Sequence, residues 1–127
     1  MAPAGEAFGT RVWPREIRLK KADKVLEIDF DDGRSFRYPA EYLRVESPSA
    51  EVQGHNPSQK VIVPGRRYVG IMEVEPVGNY AIRINFDDLH DTGIYTWNYL
   101  YELGSRYDET WAAYLQALAE RGLKRDP

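Results

Sequence analysis

Two segments of the chain carry the same pattern, and this repeat constrains the fold more than any other feature. The run LEIDFDD at residues 26–32 matches IRINFDD at residues 82–88, 56 positions later. In both copies, apolar residues alternate with polar ones and lead into an acidic turn, which is typical of a β-hairpin. A second match, Glu41-Tyr42-Leu43 with Asn98-Tyr99-Leu100, follows each copy. Two explanations stay open: two stacked strand–strand–helix units, or chance similarity between hairpins.

The pattern predicts an α+β fold, mainly antiparallel β-sheet built from two β-hairpin/short-helix units, with a C-terminal α-helix. Asp31-Asp32-Gly33-Arg34 provides a hairpin turn, and Pro39 begins a short helix. Further along, Asn98 to Leu103 predicts a helix ending at Gly104, and Asp108 is the predicted N-cap of the last helix. The apolar face of that helix is formed by Trp111, Tyr114, Leu115 and Leu118.

The predicted organisation is a disordered lead-in over residues 1–12, one folded domain over 13–104, and a C-terminal helical segment over 105–127 packed on that domain. Residues 46–67 contain prolines, glycines and serines, so a long loop is expected there, with a short strand at Lys60–Val63. Because loops of this length are commonly functional, this loop is the first place to expect a site.

Composition excludes several classes of function. None of the 127 residues is cysteine, which excludes disulfides, thiolate nucleophiles and cysteine-ligated metals. The formal net charge is −3, which gives no reason to expect a nucleic-acid partner. No apolar run approaches the roughly 20 residues of a membrane-spanning helix, and the N-terminus lacks the regions of a signal peptide. We expect a cytoplasmic domain without a membrane partner, whose oligomeric state the sequence leaves open.

The candidate chemistry is concentrated in one acidic turn. Asp87, Asp88, His90 and Asp91, with His55 as a distant partner, offer ligands for a divalent metal or a general base. Acidic turn residues also serve simply to accept backbone N–H bonds. The sequence contains no glycine-rich nucleotide loop, P-loop lysine signature or Gly-x-Ser-x-Gly elbow. No catalytic residue and no cofactor are therefore assigned.

Several spaced motifs resemble one known family. The run Leu26-Glu27-Ile28-x-Phe30-x-Asp32-Gly33, then Phe36-x-Tyr38-Pro39 and Tyr42-Leu43-Arg44, is similar to the N-terminal domain of gamma-butyrobetaine hydroxylase. Ile84-Asn85-Phe86-x-Asp88-x-His90-x-x-Gly93-x-Tyr95 continues the resemblance, which covers roughly residues 14–103. The resemblance implies a small α+β domain that precedes an iron(II)/2-oxoglutarate oxygenase barrel, occurs alone as a domain of unknown function, or is fused to P-loop carriers of iron–sulfur clusters.

The resemblance also implies a structural zinc site that this chain has lost. The family holds zinc with three cysteines and a histidine; here Ser47, Ser49 and Val52 replace the cysteines, while His90 occupies the position of the histidine. Neutral hydroxyls and a valine do not replace thiolates as zinc ligands. The oxygenase barrel with its iron ligands is not in this sequence, so hydroxylase activity is not expected.

We therefore expect a non-catalytic accessory or protein-interaction domain. The resemblance suggests a link to iron–sulfur cluster assembly and a P-loop iron–sulfur carrier as partner, which is an association and not a physical argument. The predicted interaction surface consists of Glu46, Ser47, Ser49, Glu51, His55, Asp88, His90 and Asp91. The alternatives are that these residues only tie the loop to the sheet, that His90 and nearby carboxylates bind a metal, or that the chain is a small enzyme of unknown reaction.

Overall fold

A computed structural model describes residues 11–127 and shows two three-stranded antiparallel sheets. Each sheet is a meander that is followed by a helix. The strands are β1 Pro14–Lys20, β2 Val25–Phe30, β3 Ser35–Pro39, β4 Ile71–Val77, β5 Ala81–Phe86 and β6 Ile94–Thr96. The helices are α1 Ala40–Val45, α2 Ala50–Gln53, α3 Trp97–Ser105 and α4 Tyr107–Glu120, and a short 3-10 helix spans Pro57–Gln59. The predicted α+β class is confirmed.

The two sheets repeat one another down to their irregularities. The order is β1-β2-β3 in the first sheet and β4-β5-β6 in the second. The register shifts between Pro14 and Glu16 on β1 and, in the second unit, between Ile71 and Glu73 on β4. Because a bulge is a defined feature of a strand pair, its recurrence at matching positions favours two equivalent units over chance similarity.

Tyrosine hydroxyls join the two units reciprocally. Tyr38 donates to the Leu100 carbonyl at 2.6 Å, and Tyr95 donates to the Leu43 carbonyl at 2.6 Å. Donor and acceptor of the first bond lie 57 positions from their counterparts in the second. A second pair follows the same rule: Tyr42 donates to Leu103, and Tyr99 donates to Glu46. The helix of each unit is therefore held by tyrosines of the other unit, as in a dimer with two-fold symmetry.

Both units contribute to one main core. The alternation predicted for β2 is observed, since Leu26, Ile28 and Phe30 are buried on one face, and β5 buries Ile82, Ile84 and Phe86. Burying these side chains removes apolar surface from water and is the main favourable term in folding. Leu100 and Leu103 of α3 close the same core.

The boundaries of α3 and α4 differ from the prediction. Gly104 was expected to end α3, but the helix continues to Ser105. A Cβ atom on Gly104 would lie 2.4 Å from Cγ of Phe36, so the glycine allows the ring of β3 to pack against the helix backbone. Asp108 is not the N-cap of α4; it lies in the first turn of a helix that begins at Tyr107.

A smaller core forms beneath the long loop. Tyr114 and Leu118 of α4 pack with Val45, Val52 and Val63. Leu115 of the predicted apolar face is instead 39% exposed. The short strand expected at Lys60–Val63 is wrong: this segment pairs with no strand in the described part of the chain. It is tied to α4, where the Tyr114 hydroxyl donates to the Val63 carbonyl at 2.6 Å.

The predicted disordered lead-in over residues 1–12 lies outside the described residues, except for Arg11 and Val12. The Arg11 backbone N–H donates to Oδ1 of Asn98 at 3.0 Å. Within residues 11–127, no helix is long and apolar enough to cross a bilayer.

Candidate functional site

The segment that follows α1 lies against the connection between β5 and β6. Ser49 caps α2, because its side chain accepts from the Glu51 backbone N–H. Three side-chain contacts then cross between the two segments. Ser47 Oγ lies 2.9 Å from Nε2 of His90, Ser49 Oγ lies 2.8 Å from Oγ1 of Thr92, and Thr92 donates to Glu51 at 3.1 Å. The structure thus brings together the serines and the histidine that the resemblance placed at the family's zinc position.

The His90 ring is held from both sides. Nδ1 lies 3.1 Å from Oε1 of Glu51, and the residue is only 7% exposed. Because a carboxylate only accepts hydrogen bonds, Nδ1 carries the proton and Nε2 accepts from the Ser47 hydroxyl. Burial, followed by the nearby charge of Arg44, lowers the pKa of His90 below its usual value, although Glu51 opposes this shift. The imidazole is therefore neutral at pH 7.

The contacts have the connectivity of a serine–histidine–acid relay, but the serine is sealed. Ser47 has no exposed surface. A Cβ atom on Gly93 would lie 2.5 Å from Ser47 Oγ, so the backbone of the connection covers the hydroxyl directly. Nucleophilic catalysis requires room for a substrate carbon at the hydroxyl oxygen. As folded, this arrangement can hold the two segments together but cannot attack a substrate.

Asp88 connects three parts of the fold through one carboxylate. Its Oδ2 accepts from Nε of Arg44 and from Nε of Arg66, both at 2.7 Å, and Oδ1 accepts from the His90 backbone N–H at 3.1 Å. Burial alone would raise the pKa of Asp88, but the hydrogen bonds from Arg44 and His90 outweigh it and lower the pKa. Asp88 is therefore ionised and fastens α1 and the long loop to the second sheet.

The remaining residues of the predicted surface are divided between buried and exposed positions. Glu46, Ser47, Ser49 and His90 are buried, whereas Glu51, His55 and Asp91 are exposed. Glu46 accepts from Lys60 at 2.7 Å. The His55 backbone N–H donates to Gln59, and no ion pair or side-chain hydrogen bond joins its ring to the cluster within residues 11–127. The role of this set as an interaction surface stays a prediction.

The cluster does not fit a metal ion. Within the described part of the chain, no group of three or more histidine, cysteine, aspartate or glutamate side chains is arranged to hold one. Both ring nitrogens of His90 already have partners, and Val52 lies in the smaller core. Serine hydroxyls are weak ligands for zinc in comparison with thiolates.

Four residues of this region were not identified from the sequence. Arg44 and Arg66 join Asp88, and Thr92 joins Ser49, through contacts between residues 22 to 44 positions apart, which no local motif marks. Leu89 is the fourth: it is 82% exposed, with φ of +71°. The repeat could have drawn attention to Leu89, because Gly33 occupies the equivalent position in the first unit.

Comparisons with known proteins show the family and the fold. The model of the family described as gamma-butyrobetaine hydroxylase-like, N-terminal, matches residues 17–101. No curated protein matches the chain. Two NMR solution structures of proteins are similar at TM-scores of 0.80, one with 50% identity over 93% of each chain, the other with 41% identity over 100% of this chain and 92% of that one.

A third similar structure comes from Acidithiobacillus ferrooxidans. It is the crystal structure of a protein of unknown function assigned to the DUF971 family, with a TM-score of 0.61 and 43% identity over 72% of this chain and 91% of the other. With the family model matching most of the chain, the chain belongs to the family of gamma-butyrobetaine hydroxylase-like N-terminal domains.

Proposed function

We propose that this chain is a non-catalytic protein-interaction domain whose contact face is the connection between β5 and β6. One observation carries the proposal: Leu89, at the tip of this connection, is 82% exposed and has φ of +71°. Its equivalent in the first unit is Gly33, with φ of +91°, and the backbone N–H of each residue bonds to the phenylalanine three positions earlier. The turn needs a positive φ, and glycine is the residue that adopts it without strain.

Leu89 is costly for the isolated fold. A left-handed backbone costs about 1–2 kcal/mol for a residue with a Cβ atom. A side chain that is 82% exposed returns almost none of this by burial. Burying a leucine fully in a partner would contribute about 1.5–3 kcal/mol. An exposed apolar side chain held in a strained turn is therefore better explained by contact with a partner than by folding.

The surroundings of Leu89 suggest the chemistry of that partner. Asp87 and Asp91 flank it in the same connection, and Glu51 contacts the connection through Thr92; all three carboxylates are exposed. An apolar anchor within a polar rim is the usual anatomy of an interface. The partner would offer an apolar pocket with basic residues around it. A P-loop carrier of iron–sulfur clusters, suggested by the resemblance, is the first candidate to test, and the proposal assigns the complex to the cytoplasm.

The experiment uses Leu89→Gly, which removes the side chain and relieves the strain together. The full chain, the variant and a control, Leu115→Ala at an exposed leucine of α4, are used to capture proteins from a native extract, and captured proteins are quantified by mass spectrometry. We expect a partner that wild type and control enrich equally and that the variant loses, although the variant melts at a higher temperature than wild type. A partner that the variant retains would place the contact face elsewhere.

A further inference from the structure

An apolar groove lies between the outer strands of the two sheets. Among residues 11–127, β1 and β4 each pair on one side only, with β2 and β5 respectively. Ile17 and Leu19 line the groove from β1, Met72 and Val74 line it from β4, and Trp97 contributes from α3. The cavity holds about 450 Å³, and Met72 is 52% exposed at its side. This site is separate from Leu89 and from the His90 cluster.

The open edges favour side-chain docking over extension of a sheet. An unpaired edge strand offers its backbone groups to another chain. On β4, however, Pro76 has no N–H to donate, and it also lines the groove. On β1, the bulge after Pro14 interrupts the ladder. Burial of the apolar lining would therefore contribute most of the free energy of binding in the groove.

Two residues of opposite charge line the groove. Lys21 lines it at the β1 side and Glu73 at the β4 side. In the part of the chain that the structure describes, neither side chain forms an ion pair, with the other or with a third residue; Glu73 accepts a hydrogen bond from the Asn85 side chain at 3.4 Å. A two-fold axis that passes through the groove between these two residues would place Lys21 opposite Glu73 of the partner subunit, and the converse contact follows from the symmetry. One symmetry operation thus pairs both charges, whereas an unrelated protein would need a separate oppositely charged residue for each of them.

We infer that a second copy of this chain covers the groove, forming a homodimer in which Lys21 and Glu73 pair across the interface. The proposed dimer interface is small, because it is centred on one groove of this size and two ion pairs. Interfaces at the low end of the size range are typically transient, so we expect a weak dimer that dissociates on dilution. The pairs are exposed, so the dimer should weaken as salt screens them.

Sedimentation of the full chain from about 10 to about 500 µM tests the inference. We expect Lys21→Glu and Glu73→Lys each to weaken association by about tenfold, because each places like charges together, and the double reversal to restore it to within about threefold of wild type. Met72→Asp should abolish the dimer, and Leu115→Asp, at an exposed leucine of α4, should not alter it. Circular dichroism checks that each variant is folded.

Three results would overturn the inference. Wild type that stays monomeric at the highest concentration excludes the dimer. A dimer that neither single reversal weakens is not formed through this groove, and single reversals that weaken it without restoration in the double variant contradict the pairing. Leu89→Gly should dimerise like wild type, so failure of this inference and failure of the proposed function are distinguishable.

Discussion

Replacing Tyr95 by phenylalanine should destabilise the fold more than the same change at Tyr38, although the two residues are equivalent in the repeat. Both are buried, and each hydroxyl donates at 2.6 Å to a carbonyl of the other unit. Burial raises the pKa of both hydroxyls, so both are protonated donors at neutral pH. Phenylalanine keeps the ring and its packing, which isolates the hydrogen bond.

The difference comes from the two acceptors. The Leu43 carbonyl lies at the end of α1, and the next backbone N–H that could reach it, that of Ser47, bonds to Arg44 instead. Leu100 lies inside α3, where its carbonyl also has a helical N–H partner. Tyr95→Phe therefore leaves a buried carbonyl without a partner among the described residues, at a cost of about 2–3 kcal/mol, whereas Tyr38→Phe removes one net hydrogen bond, about 1 kcal/mol.

Urea unfolding followed by circular dichroism measures both costs. At about 3–6 °C per kcal/mol for a chain of this size, Tyr95→Phe should also lower Tm by about 10 °C. Tyr68→Phe, at a tyrosine that is 62% exposed, is the matched control and should change stability by less than about 0.5 kcal/mol. Equal losses for the two buried tyrosines, or a loss at Tyr95 no larger than the control, would refute the assignment of the unpaired carbonyl.

Four further predictions can be tested on purified protein. Asp88→Asn should cost about 2–3 kcal/mol in urea unfolding, because it leaves the buried guanidinium of Arg44 without its carboxylate; a loss below about 1 kcal/mol would contradict this. Gly104→Ala should lower Tm, despite alanine's higher helix propensity, because its Cβ atom would meet the Phe36 ring. The lowered pKa of His90 means that the unfolded state binds more protons, so wild type should lose more stability than His90→Gln on acidification from about pH 7 to 5. Because the described residues offer no group of metal ligands, added zinc or a chelator should leave Tm unchanged within about 1 °C. A bound metal would stabilise the fold by mass action, so a rise in Tm with zinc would show a site that the described residues do not suggest.

Much of the fold follows from local patterns in the sequence. The alternation of Leu26, Ile28 and Phe30 and the Asp-Gly turn predict a hairpin correctly, because burial of one strand face and turn geometry are local requirements. The end of α3 was predicted wrongly at Gly104. Glycine there serves close packing with Phe36 rather than a helix terminus, and the two uses of glycine are indistinguishable without the tertiary contact.

The candidate site was less accessible to sequence reasoning. The neighbourhood of Ser47, Ser49 and His90 follows from the family resemblance and not from spacing, since 43 positions separate the two sides of the Ser47–His90 contact. Arg44 and Arg66 were missed because the arginines that neutralise Asp88 lie 44 and 22 positions before it. Long-range pairing of charges depends on the packed fold, and a single sequence carries no local sign of it.

The buried His90 cluster and the exposed Leu89 are structurally connected. A positive φ at a residue with a Cβ atom persists only where its surroundings determine the backbone. Around Leu89 they do: its N–H bonds to the Phe86 carbonyl, the Phe86 N–H bonds to the His90 carbonyl, and Asp88 accepts from the His90 N–H. The His90 ring is fixed in turn by Ser47. Hydrogen bonds thus fix the backbone at this position. If Leu89 contacts a partner as proposed, variants of His90 should weaken that contact by releasing Leu89.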